Sequence, residues 1–355
     1  MKHVKLGGSL LMAATLFTSC IEQTDVRMHT SINNDGTCTR TVSYSELASQ
    51  KAHDSLWAES VVQPADTIRF LRDDLNYSFT SFKNGDTVTT VLTHNYQTVE
   101  EMTADMPLQL EGQQLQAKSS LEKRFRWFYT DYTFTEVFSN VADIFSHPIT
   151  DYVDDDVANF WFTGQPNLLE GLSGAEVSEK IEPIERSVTK WLNDNIFQIN
   201  FDYILNNYDS VINPPLSREK FIEVRDELEK FILKSGNDIL DADHKKLFKD
   251  FFHSDAYAIF FDETPCGNGL MQENIKFCNI FYLSVPYTLT MPGKIIDAGT
   301  GICQNDTVFY SFTGERLIPH DYTISATSRK NNYWAYIVTV IVLIVAAWSI
   351  IYRRS

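Results

Sequence analysis

The sequence predicts an α+β fold, in which a mostly antiparallel sheet domain is interrupted by an α-helical insertion and followed by one C-terminal transmembrane helix. Three observations lead to this prediction. Strand-like runs with turn signals occur on both sides of an acidic central segment, residues 139–274, in which apolar residues recur with helical spacing. A sheet interrupted in this way has to be completed from both flanks of the insertion. Residues 333–352 then form a run of 20 residues without a charge.

Residues 1–19 have the features of a lipoprotein signal peptide. Lys2 and Lys5 precede an apolar stretch that is too short to span a bilayer, and small residues then precede Cys20. This pattern predicts lipid attachment at Cys20. Phe17 stands where Leu is usual in the lipobox, so an ordinary signal peptide that is cut elsewhere remains the alternative.

Residues 20–138 are expected to form the first part of the sheet domain. Asp35-Gly36 lies between two alternating runs and predicts a hairpin over 25–45. The other elements expected in this part are a helix over 47–60, a hairpin of 77–82 and 87–94 around Asn84-Gly85, a short helix capped by Thr98 and Glu101, and one long strand over 124–138.

The insertion, residues 139–274, carries three apolar helix faces. Ser173 and Glu176 form a capping box ahead of the first face, and Pro183 is expected to kink or start that helix. Asn213-Pro214-Pro215 separates the first face from the second. The three faces consist of Val177, Ile181, Ile184, Val188 and Trp191; Phe221, Val224, Leu228 and Phe231; and Leu247, Phe248, Phe251 and Phe252.

Residues 275–330 are expected to complete the sheet domain with strands over 275–289, 306–312 and 322–326, and with a turn at Pro292-Gly293. The transmembrane helix over 333–352 has aromatic residues at both ends and is followed by a short tail, 353–355. Basic residues flank the span on both sides, so the charge rule alone does not orient it. An exported N-terminus places the body in the bacterial periplasm, the helix in the inner membrane and the C-terminus in the cytoplasm.

The formal charge of the chain is −17, from 30 basic and 47 acidic residues. Lys2, Lys5, Arg353 and Arg354 lie outside residues 21–332 and no acidic residue does, so this body has 26 basic residues and a charge of −21. The acidity argues against nucleic acid as a partner, since no basic stripe is available to neutralise phosphates. The expected association is with a membrane.

Four cysteines remain if Cys20 carries a lipid, and an even number in an oxidising compartment suits two disulfides. We expect Cys266–Cys278, which closes a short loop, and Cys38–Cys303. Four unpaired thiols are the alternative. The absence of a CxxC motif gives little support to a thiol oxidoreductase or a zinc ribbon.

Several turn and strand features lie on both sides of the insertion. They are the Asn34-Asp35-Gly36 turn after a lipobox cysteine, Pro292-Gly293-Lys294, Gly301, Asn305-Asp306-Thr307-Val308 and Ala326-Thr327-Ser328. In these features the chain resembles the LppM-type lipoprotein domain of mycobacteria over 20–138 and 275–330, but not over the helical insertion. The family resemblance implies a small α+β domain with an apolar concavity, an association with lipid-like ligands and no catalytic residues.

No motif for catalysis, metal or cofactor binding occurs in a supporting context, and the acidic run near Asp154 is expected to be a solvated loop. Asp-Ser and Asp-Thr pairs followed by an apolar residue resemble an O-glycosylation motif of exported bacterial proteins. Turn chemistry is the preferred explanation of the same pairs, because Asp begins turns and β-branched residues begin strands. The hydroxyl residues concerned are Ser55, Thr67, Thr87, Ser210 and Thr307.

These observations predict a non-enzymatic, membrane-anchored envelope lipoprotein that binds a hydrophobic ligand or a partner protein outside the cytoplasm. One alternative is a structural subunit of an envelope assembly with no ligand. Another is a hydrolase whose Asp and His residues the sequence does not bring together.

Overall fold

The computed structural model describes residues 25–47, 78–105, 109–110, 113–234, 239 and 242–354. The fold is α+β, as predicted, with two main sheets that are mostly antiparallel and a helical block between their strands in sequence. The expected helix over 47–60 lies outside the described residues, apart from Leu47, which ends a strand.

The larger sheet has seven strands in the order β11-β12-β9-β1-β2-β4-β3. Both hairpins expected in the first part of the chain are present in it. Strand β1 also pairs in parallel with β9, which follows the helical block, so the sheet is completed from both flanks as predicted. Its strands are β1 (Asp25–Ile32), β2 (Cys38–Leu47), β3 (Ser78–Asn84), β4 (Thr87–Tyr96), β9 (Ser284–Thr290), β11 (Ile302–Gln304) and β12 (Thr307–Thr313).

The smaller sheet has four strands in the order β10-β13-β8-β7. The expected long strand over 124–138 is wrong: the chain turns back between β7 and β8, where the amide of Arg126 donates to the carbonyl of Tyr129 at 2.7 Å. Strands β7 (Ala117–Phe125), β8 (Tyr129–Phe138), β10 (Lys294–Asp297) and β13 (Tyr322–Asn331) form this sheet, and β5 (Gln109–Leu110) pairs separately with β6 (Gln113–Gln114).

The turn between β9 and β10 requires its glycine. Gly293 has φ +80°, and a Cβ built there would lie 2.3 Å from the carbonyl oxygen of Arg329 on β13. Only a residue without a side chain allows that approach. The Pro292-Gly293 turn therefore packs directly on the strand that leads to the C-terminal helix.

The helical block contains α1 (Asp155–Thr163), α2 (Gly174–Asn206), α3 (Arg218–Glu223), α4 (Arg225–Leu233), α5 (His244–Phe252) and α6 (Pro265–Tyr282). The backbone of Ser173 donates to Glu176 at 2.7 Å, which confirms the capping box of α2. Pro183 lies inside α2 rather than at its start. The expected strand over 275–289 is wrong for residues 275–282, because they form the last turns of helix α6.

The helical block and the sheets share one hydrophobic core. Trp191 of α2 is fully buried, donates its indole N–H to the carbonyl of His147 at 2.7 Å, and packs on Phe145. Phe145 in turn contacts Phe277 of α6, which leads directly into β9. The block is thus continuous with the sheets through α6.

Candidate membrane-proximal site

The last helix, α7 (Tyr333–Arg354), follows β13 with Asn332 as the connection. Residues Tyr333–Arg353 are long and apolar enough to cross a membrane, and few of them are buried by the rest of the protein. At 1.5 Å per residue, 21 residues extend about 31 Å, the thickness of the hydrocarbon core. An exposed apolar helix of this length needs an apolar environment.

Asn332 fixes the start of α7 to the β7–β8 hairpin through both backbone and side chain. Its amide donates to the carbonyl of Phe128 at 2.8 Å. Its side-chain amide donates to the carbonyls of Arg126 at 2.8 Å and Trp127 at 3.3 Å, and its oxygen accepts from Thr130 at 3.2 Å. One residue therefore satisfies the hairpin carbonyls and holds the helix against them.

Aromatic side chains of the hairpin tip pack on the first turns of α7. The indole N–H of Trp127 donates to the hydroxyl of Thr339 at 3.0 Å, and its ring meets that of Trp334 edge-on. Phe125 stacks on Trp334, and Phe128 packs on Tyr336 with ring centroids 4.8 Å apart. The tryptophan and tyrosine side chains of this cluster are of the types enriched at the boundary between water and lipid.

Strand β13 also carries a bidentate ion pair close to this end. Arg329 donates from Nε and Nη2 to the two carboxylate oxygens of Asp131, at 2.7 and 3.0 Å, and its guanidinium lies over the ring of Tyr129. The hydrogen bonds from Arg329 hold the pKa of the Asp131 carboxyl below its usual value. The pair links β8 to β13 just above the helix.

A second polar cluster lies between the two sheets, among residues of β1, β2, β7, β8 and β9. Arg40 of β2 donates to Glu136 of β8 at 2.7 Å, and both side chains are fully buried. The Tyr287 hydroxyl lies 2.9 Å from the other carboxylate oxygen of Glu136 and 2.8 Å from Thr30, and Ser119 donates to Glu136 at 3.0 Å. Burial, followed by the nearby Glu136 charge, raises the pKa of Tyr287 well above its ordinary value.

Both predicted disulfides are wrong, because Cys38, Cys266, Cys278 and Cys303 are free thiols. Cys266 and Cys278 lie on one helix, α6, where twelve residues correspond to about 18 Å. Cys38 on β2 and Cys303 on β11 are four strand spacings apart, about 19 Å. A disulfide requires Cα atoms within about 7 Å. Burial raises the pKa of the Cys38 thiol to about 11 and that of Cys278 to about 12.

The remaining predicted sites are scattered. Cys20, Ser55 and Thr67 lie outside the described residues, as does the signal peptide over 1–19. Thr87 and Thr307 are the first residues of strands that follow hairpin turns, and Ser210 is exposed at the end of a single 3₁₀ turn. These are positions that turn chemistry predicts for Asp-Ser and Asp-Thr pairs. Glycosylation of these hydroxyls stays a prediction.

A surface groove of about 630 Å³ runs along α2 on the outer side of the helical block. Its lining is mostly charged or polar, with one leucine from α4: Glu182, Glu185, Arg186, Thr189, Lys190, Asn193 and Leu233. Among the described residues, no group of three or more His, Cys, Asp or Glu side chains could hold a metal ion. Asp154 of the acidic run caps α1 by accepting from the amide of Val157.

The sequence reasoning did not identify Asn332 or the hairpin tip. The tip, Arg126-Trp127-Phe128, contains none of the residues that usually mark turns, so no turn signal identified it. The contact between Trp127 and Thr339 joins positions that are 212 residues apart. A basic and aromatic triplet inside a strand-like run was the only hint.

No family model matches the chain, and no curated protein matches it either. Among solved structures, it is similar to the folded domain of the LppM protein of Mycobacterium tuberculosis, determined by NMR. The identity is 8%, the alignment covers 87% of this chain and 91% of that one, and the TM-score is 0.27. This is a weak structural resemblance to a lipoprotein domain and does not establish a shared fold.

Proposed function

We propose that this chain is a non-enzymatic protein of the bacterial cell envelope, anchored in the inner membrane by α7, with its body in the periplasm, where it binds a partner protein. The observation that carries the proposal is the junction at Asn332, where a sheet strand becomes an exposed apolar helix of membrane-spanning length. The hydrogen bonds of Asn332 bind the helix to a neighbouring hairpin. The body is thereby held in one orientation relative to the membrane.

Two features favour a partner protein over an apolar ligand inside the sheets. Among the described residues, the space between the sheets is occupied by Phe134, Phe138 and the Arg40–Glu136 pair. An apolar ligand placed there would have to displace this pair. The helical block instead presents the charged groove on α2 and exposed apolar side chains, such as Ile222 of α3.

Membrane anchoring and orientation are tested together on native membranes. We expect the chain to resist alkaline extraction, and a chain that ends at Asn332 with Cys20→Ser to be released. Cys303 is exposed and provides a reporter. A membrane-impermeant maleimide should label it in spheroplasts and not in inverted vesicles, with Cys303→Ser as the control. Release of the full chain, or labelling only in inverted vesicles, contradicts the proposal.

Partner binding is tested with a photocrosslinking amino acid at Thr189, inside the groove, and at Thr80, which is exposed on the edge strand β3. We expect one reproducible protein adduct from Thr189 in native membranes and none from Thr80. Mass spectrometry of lipids extracted from the purified chain serves as the opposing measurement. A stoichiometric lipid that survives removal of α7, with no adduct at Thr189, would favour the ligand-binding alternative.

A further inference from the structure

We infer that the tip of the β7–β8 hairpin and the basic residues beside it form a binding site for the phosphate headgroups of anionic phospholipids in the membrane that α7 enters. The site consists of the aromatic tip, Phe125, Trp127 and Phe128, and of three cationic side chains that we call the basic collar: Arg124, Arg126 and Lys330. The inference rests on the proposed anchoring by α7 and adds the class of lipid and the residues that bind it.

The position of Trp127 sets the depth of the hairpin tip. Its hydrogen-bond partner, Thr339, lies six residues beyond Tyr333, the first residue of α7, so the contact is about 9 Å along the helix. The interfacial zone between water and hydrocarbon is roughly 5–8 Å thick on each side of a bilayer. If the hydrocarbon core begins at Tyr333, the tip backbone, which Asn332 bonds at the Arg126 and Trp127 carbonyls, lies in the layer of lipid headgroups. The indole of Trp127 then reaches the outer part of the hydrocarbon core.

The exposure of the tip agrees with this depth. Phe125 and Trp127 are 58% and 47% exposed, although both rings already contact Trp334. Two neighbouring aromatic side chains left in water forgo the favourable burial of their apolar surface. The interfacial layer of a bilayer would cover these rings. Because the rings contact α7, the membrane that α7 enters is the partner that lies next to them.

Charge identifies the class of lipid. None of the described residues forms an ion pair with the basic collar, whereas Arg329 nearby is neutralised by Asp131. Arg124 and Arg126 are exposed on the hairpin, and Lys330 is half-buried on β13, two residues before Asn332. Although the body has a charge of −21, it carries a local cluster of positive charge, without ion-pair partners among the described residues, at the end that adjoins α7. Phosphate headgroups of net negative charge complement that cluster.

The test uses the full chain reconstituted through α7 into phosphatidylcholine vesicles that contain brominated phosphatidylglycerol or, at the same mole fraction, brominated phosphatidylcholine. Bromine quenches nearby tryptophan fluorescence, and the contribution of Trp127 is the difference between the parent and Trp127→Phe. We expect phosphatidylglycerol to be enriched about two- to fivefold beside Trp127, since each basic residue near an anionic surface has an effect of this order. High salt should reduce the enrichment.

Two triple variants separate the basic collar from net charge. Arg124→Gln, Arg126→Gln and Lys330→Gln together should abolish the preference for phosphatidylglycerol. Lys83→Gln, Lys180→Gln and Lys220→Gln remove the same charge from other elements and should preserve it. Equal quenching by both lipids in the parent, or a preference that survives loss of the basic collar, overturns the inference. Vesicle flotation is read in parallel: a chain that does not float refutes the anchoring as well, whereas a floating chain without the preference refutes this inference alone.

Discussion

Replacing Glu136 by Gln is the most direct perturbation of the packing between the two sheets. The amide keeps the shape of the side chain and an oxygen that can accept from Ser119. It removes the negative charge that lies 2.7 Å from the Arg40 guanidinium, where both side chains are fully buried. Removal of one partner of a buried ion pair costs about 3–5 kcal/mol. The expected loss is thus a large fraction of the stability of an ordinary domain.

A double variant distinguishes this charge effect from lost packing. Arg40→Met combined with Glu136→Leu replaces the pair by apolar side chains, which is often neutral or stabilising for buried pairs. We expect the double variant to be more stable than Glu136→Gln. The assay is guanidinium unfolding of the full chain in detergent, followed by near-UV circular dichroism. A cost below about 1 kcal/mol for Glu136→Gln would refute the reasoning, because that is the range of exposed pairs.

Three further predictions follow from other parts of the structure. Burial lowers the pKa of His244, so the unfolded state binds more protons than the folded state below a pH of about 6.5. The free energy of unfolding should therefore fall from pH 7 to pH 5, by up to about 1.4 kcal/mol per pH unit, and urea unfolding should show a smaller slope for His244→Phe. Gly293→Ala should lower the melting temperature in calorimetry, because its Cβ would meet the Arg329 carbonyl, whereas Gly174→Ala, where nothing lies within 4 Å, should not. In native protein at pH 8, iodoacetamide should modify the exposed Cys303 and leave Cys38 and Cys278 unmodified, as peptide mass spectrometry would show; modification of all three at similar rates would contradict the burial.

Elements with a local signal were predicted correctly from the sequence. Asp35-Gly36 and Asn84-Gly85 mark hairpins because positive φ is required in tight turns, and both glycines have it. Ser173 and Glu176 mark a helix start because they satisfy free amides. The errors arise where local signals conflict with the fold. Residues 275–282 are rich in β-branched and aromatic side chains, yet they extend α6 because Phe277 and Ile280 are buried against the core.

The candidate site was not predictable in the same way, because its contacts are distant in sequence. Arg40 and Glu136 are 96 residues apart, and the side chain of Asn332 reaches a carbonyl 206 residues away. Such pairs depend on which strands become neighbours, and no local pattern encodes that order. The apolar run of α7 was recognisable from the sequence, but its attachment to a hairpin was not.

The same contacts lead to a prediction about the two expected anchors. The β1–β2 turn lies beside the part of the small sheet that adjoins α7, since Tyr132 donates to the carbonyl of Asn34 at 3.2 Å and Lys123 donates to that of Asp35. Thr30, four residues before Asn34, accepts from Tyr287, and Tyr287 also donates to Glu136. Glu136 lies four residues beyond Tyr132 on β8, further from the β7–β8 turn. Strand β1 therefore leads away from α7 toward its own N-terminus.

A lipid on Cys20 would be attached just before the N-terminal end of β1, which is the end that points away from α7. From Ile32 back to Asp25 the strand rises about 23 Å, whereas the five residues from Cys20 to Asp25 extend at most about 18 Å. With α7 held by Asn332, both anchors reach one membrane only if the first residues of β1 leave the sheet. We therefore expect amide exchange at Val26 and Met28 to be faster in the lipidated chain than in Cys20→Ser, in matched vesicles. A Gly/Ser insertion after Cys20 should restore slow exchange, because the longer segment removes the tension. Equal protection in a chain whose mass confirms the lipid would show that both anchors fit the intact sheet, and that β1 does not lead away from the membrane.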